Sequence, residues 1–461
     1  MKLTFQGIIL SCLLIVGILP TTSLAQQLDP ALKNLINKGL NQSHTVNVYD
    51  LDAEKAQVDQ KLAKSVFLPK ITLNGSYTRL NDDITFDDDT KNLLMSTQKL
   101  LIKEAMDMPF NAPFPENIPL KEAPNLQDKN ILKSSVDVDW VLFSGFEATN
   151  ALKAGKHKEA AVKYAGMAEK DRVALKIIET YDKLALVNAS ERVISASEEY
   201  LMQQEYYVRK AIENGLATPI SRKKIELARQ QLAAKQLEFS HNKTLLIEVL
   251  HQLTGENKEN LRLLQPELTS IMPDTLMSAE KRNEIKALEE AEKATDYKAK
   301  MERSHFIPKV AVKGHYEFME DDLSLLDPQW YVGVGIRWNL FDGNQSRLKS
   351  IQTTLESRKY KEQREEAQEM IALSLVKAEL SYESSLQNTR ISQKEIELAE
   401  ATYEMIDKQY RNDLASVNEV LDALKDLEKA KFQLQESYFD QRRATIALLH
   451  AKGLLNYKTR I

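Results

Sequence analysis

From Asn344 to Lys452 the chain runs for 109 residues without a glycine or a proline. Those two residues punctuate turns, so neither a compact α/β domain nor an all-β domain can be built from this stretch. It must be helix almost throughout. The whole chain of 461 residues has only 14 Gly and 13 Pro, and Pro109, Pro113, Pro115, Pro119 and Pro124 crowd into one segment. Basic and acidic residues nearly balance, 62 against 67, which leaves no strong nucleic-acid footprint.

The first residues read as an export signal. Lys2 precedes an apolar run from Ile8 to Leu19, and Ser23-Leu24-Ala25 is a small-x-small cleavage pattern. A signal peptide over residues 1–25, cut after Ala25, is expected. The apolar run is too short to span a bilayer comfortably. The lone Cys12 lies inside it, so the exported chain would have no disulfide and would need a large core of its own.

Three elements occur twice in the same order. Phe67-Leu68-Pro69-Lys70-Ile71 returns as Phe306-Ile307-Pro308-Lys309-Val310. Trp140-Val141-Leu142-Phe143-Ser144-Gly145 returns as Trp338-Asn339-Leu340-Phe341-Asp342-Gly343. Asn214-Gly215-Leu216-Ala217 returns as Asn412-Asp413-Leu414-Ala415. The last two pairs are each separated by 198 residues and the first by 239, so repeat one carries an insertion of 41. It is the polar, proline-rich loop 81–130, with acidic runs at Asp82-Asp83 and Asp87-Asp88-Asp89 and a short helix expected near Lys91 to Met106. We take 26–270 as the first repeat and 271–461 as the second.

Each repeat holds two alternating segments, about 70–80 and 134–143, then about 309–318 and 329–341, with charge on one face only. They fit a small soluble sheet or outer-membrane barrel strands. In lipid four strands cannot stand open, because every backbone group must be paired. Three copies would supply 12 strands, so a membrane reading requires a homo-oligomer.

Capping boxes are expected at Ser144-x-x-Glu147 and Asp342-x-x-Gln345. Behind each, a helix of 68 residues, roughly 100 Å long, is expected from Phe146 to Glu213 and from Asn344 to Arg411. Val173, Ile177, Tyr181 and Leu184 form a narrow seam on the first, with Ile178 and Ala185 beside them. Return helices follow from about Ile220 to Thr254 and Val417 to Lys452, and shorter helices precede the first strands near Val48 to Val66 and Glu280 to His305.

This doubled order resembles the TolC-like outer-membrane factor (outer membrane efflux protein) family. The resemblance rests on the two [FI]-[LI]-P-K-[IV] segments, the two W-x-L-F-x-G segments and the hairpin Tyr410 to Leu434. It implies a mainly α chain with a membrane β-barrel portion: a homotrimer with a 12-stranded barrel in the outer membrane, continued into the periplasm by a long α-helical barrel. It also implies an exit duct for efflux or type I secretion, coupled through a periplasmic adaptor (membrane fusion) protein to an inner-membrane pump of RND or ABC type. The hairpin tips, Gly215, Leu216, Ala217 and Thr218 and then Asp413, Leu414, Ala415 and Ser416, would face the adaptor. Tyr410 would stand at the gate, with Glu419 and Asp422 ringing a constriction. Three copies would gather six carboxylates there, a cation-selective arrangement. The family's gate arginine falls on Ala415 here, so a salt-bridge latch lacks its usual cation. By their residues alone, Glu419 and Asp422 also fit a solvated helix face, and the tips fit plain turn chemistry.

No enzyme motif, cofactor or metal is expected. The seven histidines never pair at metal-ligand spacing, and Asp87-Asp88-Asp89 lacks EF-hand spacing. The alternatives are a periplasmic structural coiled coil, which leaves the four alternating segments unexplained, and an adaptor-like protein. The adaptor reading needs glycine-rich β-domains around one hairpin, whereas this chain has two hairpins and 14 Gly.

Overall fold

The structure, a computed structural model, describes residues 29–271, 279–320, 328–412 and 414–455. The expected signal peptide lies outside them. In chain order the elements are α1 (Pro30–Gln42), α2 (His44–Ser65), β1 (Lys70–Arg79), α3 (Asp88–Ala105), β2 (Asn130–Phe143), α4 (Glu147–Glu213), α5 (Pro219–Thr254) and α6 (Lys258–Arg262). Then come α7 (Asn283–Arg303), β3 (Lys309–Glu320), β4 (Trp330–Arg337), α8 (Gln345–Arg411) and α9 (Val417–Ala451). Both long helices have 67 residues.

Two compact units cut across the two sequence repeats. A sheet unit holds Tyr49–Tyr164 and Lys286–Glu366; a hairpin unit holds Ala165–Ile285 and Ala367–Ile461 with the N-terminal part up to Val48. Each long helix contributes its first part to the sheet unit and the rest to the hairpin unit.

In the sheet unit the four strands lie in the order β1-β2-β3-β4, every neighbour antiparallel. The doubled motifs meet in the same way in both repeats. The Trp140 indole Nε1–H donates to the Phe67 carbonyl at 2.9 Å, and the Trp338 indole to the Phe306 carbonyl at 2.9 Å. The motif that leads into the first strand of a repeat is thus tied to the motif that closes the second.

The chain then turns through two successive left-handed residues, Gly145 and Phe146 (φ 65° and 66°), and again Gly343 and Asn344 (φ 69° and 65°). A Cβ on Gly145 would lie 2.9 Å from the Ile307 carbonyl oxygen, so only glycine fits there. These turns also correct the expected capping boxes. Ser144 Oγ accepts from the amide of Ala148 at 3.2 Å, and Asp342 Oδ2 from that of Ser346 at 2.9 Å. The left-handed pair moves the capped amide one residue on, and the Glu147 carboxylate pairs with Lys309 instead of reaching back.

Strand ends differ from the periodicity. β2 starts at Asn130 rather than 134, because Arg79 pairs with Asn130 and Tyr77 with Leu132. β4 stops at Arg337 rather than 341, where the Trp338 indole turns back to Phe306. Within the insertion, the Asp87 carboxylate caps α3 by accepting from the Thr90 amide at 2.7 Å. The acidic run is therefore a helix start.

Helices in this unit follow the lateral order of the strands: α2 bonds α4 (Gln60 to Glu159, 2.6 Å), α4 bonds α7 (His157 to Glu290, 2.6 Å), and α7 bonds α8 (Arg303 to Ser350, 2.9 Å). The face of α8 turned to α7 buries Ser346, Ser350, Thr353 and Ser357, at steps of four and three, while Leu348, Ile351 and Leu355 are exposed. Small residues let helix backbones approach closely, yet a helix that buries serine and exposes leucine inverts the usual amphipathic arrangement.

The hairpin unit has a conventional core. Ile177, Ile178, Tyr181 and Leu184 of α4 pack with Leu32, Leu35 and Ile36 of α1, Ile247 and Leu250 of α5, Leu261 of α6 and Ile446 of α9. The periodicity points to a narrow seam with Ile178 and Ala185 beside it. Because α1 covers one flank, the buried stripe is wider and takes in Ile178 and Ala185. Deep in this unit the Arg442 guanidinium bonds Asp182 Oδ1 at 2.8 Å and the Thr269 carbonyl at 3.1 Å. Arg442→Met is expected to destabilise by roughly 3–5 kcal/mol, since it strands a buried carboxylate. Thermal unfolding in detergent checks this, and Asp182→Asn in the same chain should restore part of the loss.

Docking of α1 should depend on pH. Glu256 accepts from Lys38 and from the Asn260 amide group, and this lowers its pKa from the ordinary 4.5 to about 2. A lowered carboxylate contributes stability that is present above the unfolded pKa and is lost as pH falls towards the folded one. Protection of the Leu35 and Ile36 amides, taken as exchange relative to the intrinsic rate at each pH, is therefore expected to fall between about pH 4.5 and pH 2, and Glu256→Gln should show the lower protection already at neutral pH.

Candidate functional site

The register gathers most of the large apolar strand residues on one face of the sheet. Ile71, Val138, Gly314 and Val332 form one row across the strands, and Leu73, Val136, Tyr316 and Trp330 another. Trp140, Val312 and Val334 make a third. This face is open: Ile71 is 69 % exposed and Val332 70 %. Aromatic side chains flank the aliphatic band, with Tyr77, Tyr316, Phe318 and Trp330 near one end and Trp140 and Trp338 near the other.

The opposite face is polar and internally paired. His315 Nδ1 lies 2.6 Å from Asp137 Oδ1, across a register pair, and Lys313 Nζ lies 3.8 Å from Asp139 Oδ1 across the next. A slip of one residue would move these charges to the apolar side, so the pairs and the aliphatic rows fix one register together. β1 and β4 are the outer strands, each bonded on one side only among the described residues. Also among the described residues, no helix is long and apolar enough to cross a membrane, and no group of three His, Cys, Asp or Glu could hold a metal ion.

The α4–α5 and α8–α9 turns are built alike. The Leu216 amide donates to the Ala211 carbonyl at 2.8 Å, and the Leu414 amide to the Gln409 carbonyl at 2.9 Å, each closing the helix end. Gly215 supplies the left-handed residue (φ 74°). Leu216 and Leu414 are 64 % and 77 % exposed. Ala217 and Ala415 are half-buried, and Asp413 lies outside the described residues.

The two return helices begin differently. Thr218 precedes α5 without a side-chain cap, whereas Ser416 and Glu419 form a complete capping box at α9. The Ser416 amide donates to Glu419 Oε2 at 2.6 Å and holds that carboxyl below its usual range. Glu419 therefore has a local structural role that its spacing from Ser416 signals. Both Glu419 and Asp422 are exposed on α9. Tyr410 is half-buried and packs with Val208, Ile225 and Val417.

One constellation near the turns was not singled out in the sequence. Gln204 Nε2 on α4 donates to Asp407 Oδ1 on α8 at 2.6 Å, and Asp407 Oδ2 takes Arg411 at 2.7 Å. The Arg411 guanidinium sits over the Tyr207 ring, 4.5 Å from its centroid. Asp407–Arg411 is legible as an i,i+4 pair; Gln204 and Tyr207 are far away in sequence and carry no local signal. Through Asp407 and the Tyr207 ring, the Arg411 guanidinium ties α8 to α4. Asp407→Ala leaves the buried Gln204 amide with only the Tyr403 hydroxyl, at 3.5 Å, and should cost roughly 1–3 kcal/mol. Spin labels on α4 and α8 near the turns should then report a broader distance distribution than in the wild type.

Residues 277–454, which span most of the second repeat, match the outer membrane efflux protein family. No curated protein matches the chain. Among solved structures, the fold is similar to the outer membrane protein VceC of Vibrio cholerae, at 16% identity, 93% of this chain, 97% of that one and a TM-score of 0.70. It is likewise similar to the outer-membrane channel OprN, at 13% identity, 93% of this chain, 91% of that one and a TM-score of 0.73. For the Campylobacter jejuni CmeC outer membrane channel the values are 15% identity, 94% and 87% coverage, and a TM-score of 0.70. The chain thus has the fold of the TolC-like outer-membrane channels, and its residues 277–454 fall within the outer membrane efflux protein family.

Proposed function

We propose that three copies of this chain form an outer-membrane exit duct for efflux or type I secretion. The observation that carries the reading is the sheet: one face apolar and open, the other polar and paired, with an unpaired edge on both sides. Water disfavours such a face, and lipid forbids such edges. Closure with the sheets of two further copies in lipid removes both difficulties, pairing the edges and covering the apolar face, and gives 12 strands around a polar lumen, an ordinary barrel size. The inverted helix surfaces support the same assembly. Leu373, Val376, Leu380 and Ile391 line an open groove of about 1190 Å³ between α8 and α9, suited to helices of another copy.

In this reading residues 1–25 direct export, and 26–270 and 271–461 are the two repeats of one wall. Outer-membrane lipid covers the apolar band. The turns at Gly215 to Thr218 and Asp413 to Ser416 meet a periplasmic adaptor that links the duct to an inner-membrane pump. Glu419 and Asp422 ring the narrow point, with Tyr410 packed behind them. The duct performs no chemistry. Charge at the ring favours cations, and energy comes from the pump.

Two measurements test this. The purified chain in detergent should run as a trimer; a stable monomer, or recovery wholly in the soluble periplasm, would sink the reading. In planar bilayers the wild type should conduct with cation preference. Glu419→Gln with Asp422→Asn retains hydrogen-bonding groups at the α9 start while removing the charge, and should reduce that preference. If ion preference is unchanged, the ring assignment fails while the duct stands.

A further inference from the structure

The insertion that sets repeat one apart is a built piece of structure. Two strands of this sheet need only a short connection, since β3 ends at Glu320 and β4 begins at Trp330. Between β1 and β2 the chain instead runs from Leu80 to Lys129, at the strand ends remote from α2 and α4. Its base is stapled. The Leu80 amide donates to the Lys129 carbonyl at 2.7 Å, the Lys129 amide to Asp83 Oδ1 at 2.7 Å, and Ile84 bridges to Gln127.

Within the insertion α3 is apolar on two faces. The chain that follows folds back along the helix: the Met108 amide donates to the Lys103 carbonyl at 2.9 Å, and the Lys103 ammonium to the Phe110 carbonyl at 3.1 Å. Met95 and Ile102, two turns apart on one face, are half-buried, as are Met108 and Phe114 of the returning chain. On the other face Leu93-Leu94 recurs seven residues on as Leu100-Leu101, so the four leucines share one stripe. All four are exposed, Leu93 at 67 %, and Phe110 beyond the helix end is 78 % exposed. A helix apolar on both faces is an interior helix, yet the insertion has already placed its own returning chain elsewhere.

Three observations point to another copy of this chain as the cover. The charged residues nearest the stripe are acids, Asp89 four before Leu93 and Glu104 four after Leu100. A helix lying on a lipid surface carries cations beside its apolar face instead. Leucines at heptad spacing are what helices use to pack on like helices. Finally, the insertion grows from β1, bonded on one side only among the described residues, so in the duct α3 stands at the boundary with the next copy. Its reach is sufficient. Twelve strands spaced about 4.8 Å and tilted about 40° enclose about 24 Å, and the 18 residues of α3 are about 27 Å long.

We propose that the leucine face of α3 packs on the α3 helices of the neighbouring copies, and that the three insertions together narrow the outer mouth of the duct as a lid. Glu104, on the same stripe, sets like charges opposite each other and keeps this contact weak enough to part. The proposal rests on the duct reading and adds to it a contact between copies that repeat two, with its short connection, does not make.

Cys12 is the only cysteine and lies in the expected signal peptide, so a single introduced cysteine reports alone. Leu100→Cys in the full-length protein, oxidised in the membrane, should give a disulfide-linked dimer. Asn92→Cys, on the same helix but off the stripe, should not. In planar bilayers a reductant should raise the conductance of oxidised Leu100→Cys about twofold or more, and Leu93→Gln with Leu94→Gln, Leu100→Gln and Leu101→Gln should exceed the wild type by a similar factor. No linkage at Leu100, equal linkage at Asn92, no response to the reductant, or quenching by brominated lipid of a fluorophore on the Leu100 cysteine would each overturn the lid. If the four-glutamine variant conducts while Leu100→Cys stays unlinked, only the lid falls. If that variant carries no current, the duct reading fails and the lid with it.

Discussion

Backbone pairing at the sheet edges is the constraint on which the rest depends. β1 and β4 each present a row of peptide groups bonded on one side only among the described residues, beside an apolar face that water does not favour. A soluble protein blunts such edges with charge, proline or a covering element. Here the outward positions of β1 and β4 are Ile71, Leu73, Val332, Val334 and Ile336. In the proposed trimer, closure with like edges pairs the backbone groups, lipid covers the apolar side chains, and each protomer is one third of a wall.

The helices express the same incompleteness. On the face of α8 turned to α7 the buried residues are serine and threonine, and Leu348 and Leu355 face outward. Packing inside the protomer is held by close approach and side-chain hydrogen bonds such as Arg303 to Ser350 and Ser357 to Asp296. In the proposed trimer, the exposed leucines of this part of α8 would pack on another copy. The hairpin unit differs, since α1, α6 and the Arg442–Asp182 pair give it a core of its own.

Repetition makes the division of labour visible. Where the two halves agree, as in the Trp140 and Trp338 indole bonds and the paired left-handed turns, the feature belongs to the fold. Where they differ, at the caps of α5 and α9, the fold has no need of the difference. Those positions are free to serve recognition or conduction.

The sequence by itself determined the repeat, the strand faces and the two rods, because each is written locally: alternation in Val332–Ile336, an absence of turn residues after Asn344, and a fixed spacing of 198. It misjudged the caps at Ser144 and Asp342, since a capping box and a left-handed pair draw on the same few residues. It did not reveal α1, whose fit depends on Ile177 and Leu250, remote in sequence. Only the tertiary structure decided that Gln204 meets Asp407 and that the Tyr207 ring lies against Arg411. Such side-chain partnerships span helices about 200 residues apart, as with Gln204 and Asp407, and no periodicity encodes which residue of one rod faces which of the other.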